Sequence, residues 1–101
     1  MGLDIHGETL NQGRVNVLSS SPATLIVPLN PKRCRVLIQA TDPDNYVFIG
    51  NSGISLGYGV SVVGPAAGLY AHQTIELFTK AAIYGMSEDH NQDVMWLEES
   101  E

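Results

Sequence analysis

The sequence predicts an all-β fold: a compact antiparallel β-sandwich, preceded by an extended N-terminal arm. Three observations carry that expectation. Short runs rich in Val, Ile, Leu, Tyr and Thr are separated by turn-forming residues about every 8–12 positions, the spacing of sandwich and barrel strands. Several runs alternate apolar and polar side chains, as a strand with one buried face requires. No segment sustains a capped helical period; 74–86, TIELFTKAAIYGM, comes closest, and its β-branched and aromatic content fits a hairpin better, with a short helix as the alternative.

Taken in order, residues 1–13 mix Leu3, Ile5 and Leu10 with Asp4, His6, Glu8, Asn11 and Gln12. Three apolar side chains are too few for a core but enough to dock on a neighbour, so this segment reads as an arm that orders on assembly. Residues 14–101 read as one sandwich domain. Its expected strands are 14–18, 23–29, 33–40, 45–49, 60–63, 68–71, 74–79, 81–86 and 94–98. Between them lie 19–22, 30–31, 42–45, 50–59, 64–68 and 89–92, where Ser, Pro, Asp, Asn and Gly supply the turns. In 33–40 the expected inward set is Cys34, Val36 and Ile38, and in 74–79 it is Ile75 and Leu77. Trp96 shares the last strand with Val94 as a core or rim aromatic.

At 101 residues the chain has room for one core, and a domain of this size hides roughly 60–68% of its unfolded surface. Oligomerisation is a natural further source of stability. The formal charge of −6 repels phosphate backbones, so nucleic acid is not an expected partner. No apolar run is long enough for a membrane span, and 1–13 lacks the apolar core of a signal peptide, which predicts a protein made and used in water.

Charge is unevenly placed. Lys32, Arg33 and Arg35 crowd one strand entrance, while Glu88, Asp89, Asp93, Glu98, Glu99 and Glu101 crowd the C-terminal segment. Two solvated charged regions would explain this simply. The sharper expectation is that the three basic residues meet an acidic neighbour.

The chemical inventory is short. Cys34 is the single cysteine, which excludes an internal disulfide framework, and alternation predicts a buried, inert thiol. His6, His72 and His90 share no metal-ligand spacing, and Asp42-Pro43-Asp44-Asn45 lacks the pattern of a calcium loop, so neither a metal nor another cofactor is expected. Glycines 50, 53, 57 and 59 precede no helix and no Lys-Ser/Thr pair, so they read as a loop rather than a phosphate cradle, with Tyr58 as an exposed anchor. Serines 19, 20 and 21 have no base or acid partner indicated by motif. The expectation is a protein that is not an enzyme.

The succession Arg35-Val36-Leu37-Ile38-Gln39, Tyr46-Val47-Phe48-Ile49-Gly50, a Gly/Ser loop ending near Gly57, Leu69-Tyr70-Ala71 and a closing apolar strand running into Glu98 resembles small virion accessory proteins of tailed bacteriophages. The likeness spans roughly 15–99. It implies a capsid decoration (cement) protein, built as a jelly-roll-like sandwich and often trimeric, that binds the major capsid protein and stabilises the shell, located on the virion surface and assembled in the host cytoplasm. The partner-binding residues expected under that reading are Leu3, Ile5, Leu10, Lys32, Arg33, Arg35 and Tyr58. Two other classes stay open. One is a tail-fibre or baseplate receptor or glycan-binding module using Tyr58, Tyr70 or Trp96 with Asn51, Asp42 and Asp44. The other is a cupin-like metalloenzyme, for which three scattered histidines fit poorly.

Overall fold

The computed structural model describes residues 9–55, 60–62 and 74–101, and every described element is a strand. In chain order these are β1 (Thr9–Val17), β2 (Thr24–Val27), β3 (Arg33–Ala40), β4 (Val47–Gly50), β5 (Val60–Val62), β6 (Thr74–Leu77), β7 (Ile83–Ser87) and β8 (Gln92–Ser100). They form two four-stranded sheets, ordered β1-β8-β3-β6 and β2-β7-β4-β5, with every pairing antiparallel. Successive strands mostly alternate between sheets, and first and last strands pair. The all-β sandwich is the one the sequence predicts, and this strand order is that of a jelly roll.

The core lies between the sheets. Val17, Val36, Ile38, Ala40 and Val94 from one sheet meet Ile26, Val27, Val47, Ile49, Val62 and Ile83 from the other, with Val15, Ile75, Leu77 and Trp96 packed around them. β-Branched side chains dominate because they fill a pleated surface with few rotamers to lose. Two glycines make room for this packing. A Cβ on Gly85 would meet Ile26 Cδ1 at 2.6 Å, and one on Gly13 would lie 2.5 Å from Trp96 Nε1.

Beyond shifts of one or two residues at the ends of β2, β4, β6 and β7, the structure departs from the expected pattern in three places. β1 begins at Thr9, so residues 9–13, read as part of the arm, belong to the sheet, where they pair with 96–100 of β8. Asn11 shows why: its Nδ2 donates to Glu98 Oε1 at 3.2 Å, so a polar side chain occupies the inward-facing position. β8 is longer at both ends than 94–98 because Gln92 and Ser100 are themselves buried. The strand expected at 68–71 lies outside the described residues, as do Leu3, Ile5 and Tyr58.

The third departure concerns the inward set of β3. Arg33 pairs with Ser100 and Arg35 with Glu99, so Cys34 is the extra residue of a β-bulge. One inserted residue reverses the alternation before it. Arg33 therefore turns inward with Val36 and is completely buried, while Cys34 is only partly buried. The sequence alternation predicted the reverse for these two residues because it assumed an unbroken period of two.

Candidate functional site

Both ends of the sandwich are closed by buried polar groups. At one end, Arg33 Nε donates to Glu98 Oε2 at 2.6 Å. Arg33 Nη1 donates to the Thr79 and Ala81 carbonyls, each at 2.9 Å, and Nη2 to the Pro28 carbonyl. Glu98 Oε1 accepts from Asn11 and from Asn30, the latter at 3.0 Å. One ion pair thus ties β1, β8, the loop before β3 and the loop after β6. A buried guanidinium is tolerated because its fork of donors meets acceptors already fixed by the backbone.

At the other end, Asn45 is completely buried although no strand contains it. Its Nδ2 donates to Ser87 Oγ at 2.9 Å and to the His90 carbonyl at 2.7 Å, while its Oδ1 accepts from the Asp89 amide at 2.8 Å. Gln92 Nε2 donates to the Asn45 carbonyl, and Gln92 Oε1 accepts from the Thr41 and Asp42 amides. These bonds hold the β3–β4 loop against the β7–β8 turn. Just outside them, Asp42 accepts from the Asp44 amide and sits 2.7 Å from His90 Nε2, and these contacts hold its carboxyl below the ordinary carboxylate range.

The exposed face of the β1-β8-β3-β6 sheet is built differently. Register places Leu10, Gln12, Arg14 and Asn16 of β1 beside Glu99, Leu97, Met95 and Asp93 of β8, with Arg35, Leu37 and Gln39 of β3 beyond. A groove of about 650 Å³ opens over Leu37, Met95 and Leu97, bordered by Gln12, Gln39 and Thr74. Ion pairs flank it. Arg35 reaches both Glu99 and Glu76, which raises its pKa. Asn16 and Arg14 both donate to Asp93, the Arg14 bond at 2.8 Å, and lower its pKa.

A second hollow, about 250 Å³, lies between Ile49, Val60, Ile75, Leu77 and Ile83. Its lining is almost wholly apolar, so it offers packing space and little means of orienting a ligand.

The described members of the expected set, Leu10, Lys32, Arg33 and Arg35, do not form one exposed patch. Arg33 is removed from the set: a side chain sealed inside the sandwich and bonded to Glu98 cannot meet an outside partner. Arg35 is partly exposed and already paired within its own sheet. Lys32 is exposed in the turn before β3, and Leu10 is exposed on the sheet face. The acidic neighbour expected for the basic cluster is, for both arginines, this chain's own β8. Trp96 packs over Gly13 toward the core, and Asp42 is engaged with Asp44 and His90, so neither stands free as the sugar platform or polar partner considered above.

Asn45, Gln92 and the groove residues Leu37 and Met95 were not among the expected functional residues. The cue for the groove was present in the alternation of β3 and β8, where both faces carry apolar side chains. Comparison with known proteins adds no relative: no family model, curated protein or solved structure matches the chain.

Proposed function

We propose that this protein is a structural virion component, a capsid decoration protein that docks on the major capsid protein through the exposed face of its β1-β8-β3-β6 sheet. The observation that carries this reading is the groove over Leu37, Met95 and Leu97. An apolar floor with a polar rim is the anatomy of a docking surface, where a few desolvated central residues supply most of the affinity. Ion pairs on either side of the floor leave little unpaired charge to desolvate on contact. The jelly roll and the likeness of its strands to phage accessory proteins support the same reading by analogy of fold and pattern.

Quantitative mass spectrometry of purified particles carrying this protein tests the proposal. Hundreds of copies per particle are expected. A dozen or fewer would indicate a tail or portal role and overturn decoration. On such particles, Leu97→Asp is expected to weaken docking by at least about tenfold, since it places a charge at the centre of the contact. Unchanged occupancy would remove this face from the interface.

A further inference from the structure

The described strands leave four sheet edges, at β1, β6, β2 and β5. β2 is blunted, with four residues, a register shift between Leu25 and Val27, and Pro28 directly after it. Short, irregular or proline-flanked edges do not template further strands. β1 is built in the opposite way. It runs nine residues from Thr9 to Val17, keeps an unbroken register with β8 along its whole length, and contains no Pro and no Lys. Along its other side, no described strand pairs with it.

We infer that this edge is a self-association seam, at which β1 of a second copy pairs antiparallel with β1 of the first. A two-fold axis at Gly13 gives a register with matched chemistry. Thr9 then faces Val17, Leu10 faces Asn16, Asn11 faces Val15, and Gln12 faces Arg14 of the other copy. Residues directly opposite in an antiparallel pair share a sheet face, so both copies keep their inward and outward sets. Arg14 is the one charged residue on the strand, so no two like charges lie directly opposite one another, and each Arg14 already has Asp93 beside it. For a chain of net charge −6, that edge is well suited to meeting its own copy. Gly13 puts no side chain at the axis, a requirement independently imposed by Trp96 lying over it. The contact is isologous, and it joins two four-stranded sheets into one of eight strands, bringing the two grooves onto one continuous face. It is independent of what the groove docks.

Sedimentation equilibrium of the full chain over a wide concentration range, with hydrogen exchange of the β1 amides, tests the seam. The expected result is a reversible species of twice 10.9 kDa, with β1 protection rising as it forms. Gln12→Glu places a carboxylate opposite Arg14 of the other copy and should tighten the dimer about fivefold; Gln12→Lys places like charges there and should loosen it about fivefold. Circular dichroism of both variants in dilute solution should match the parent. A chain that stays monomeric overturns the inference, including one whose β1 amides become protected only on a foreign capsid protein, which would assign the edge to that partner. Equal dimer constants in all three proteins overturn the register and the seam together.

Discussion

The two ends of the sandwich solve the same problem with opposite chemistry. Where β3 begins and β8 ends, loops are gathered by a buried charge pair, Arg33 and Glu98; where β3 ends and β8 begins, they are gathered by neutral amides and a hydroxyl, from Asn45, Gln92 and Ser87. The charged end reaches more segments, because a guanidinium presents donors in several directions from one side chain. It is also the more brittle. Losing one member of a buried ion pair leaves a charge with nothing to compensate it, whereas losing a neutral amide leaves only unpaired dipoles.

The largest expected effect comes from removing one charge. Arg33→Met should destabilise the fold by about 3–5 kcal/mol in denaturant melts, because it abandons Glu98 and three backbone carbonyls. Adding Glu98→Leu should recover part of that loss. A double variant no more stable than the single one would mean that the carbonyls, and not the ion pair, govern this end. Asn45→Ala should cost about 2–3 kcal/mol, through the orphaned Asp89 amide and the freed Ser87 and His90 groups. Ser87→Ala, which removes the hydroxyl that accepts from Asn45 and donates to the His90 carbonyl, should cost about 1–2 kcal/mol in the same measurement. If Asn45→Ala proves as damaging as Arg33→Met, the contrast between the ends fails.

The smallest effect is set by pH. Asp42 and Asp93 hold their protons less tightly when folded than the ordinary value of 3.8, Asp42 chiefly through the Asp44 amide and Asp93 chiefly through Asn16. The unfolded chain therefore takes up protons first as pH falls. Stability from these contacts is full above that ordinary value and disappears as pH drops through the lower folded values. Asp93→Asn should flatten the acid limb of the stability curve, and an unchanged limb would show that Asp93 has no part in it.

Much of the fold is legible along the chain and much of the site is not, for identifiable reasons. Strand β3 is plain because Val36, Ile38 and Ala40 alternate with polar or half-buried neighbours. Yet the same alternation misplaces Arg33, since a bulge at Cys34 inserts one residue without any compositional mark. Asn45 is part of a recognisable turn, Asp-Pro-Asp-Asn, and local chemistry assigns it to turn formation. Its burial depends on Ser87, His90 and Gln92, more than forty positions away, which no local pattern encodes. The basic and acidic clusters are visible as an asymmetry, but only strand order reveals that β8 brings one against the other.

The bond between Asn11 and Glu98 joins residues 87 positions apart, and the strand holding Glu98 lies between β1 and β3. This placement has a consequence in time. A sheet whose central strand is supplied by distant sequence closes large loops before it is rewarded for doing so, and such topologies fold in milliseconds to seconds rather than microseconds. Until β8 arrives, β1 and β3 have no common neighbour and Arg33 has no carboxylate to meet. The buried charge that brings the loops together in the finished molecule is, during folding, a reason for the sandwich to remain open until its centre is in place.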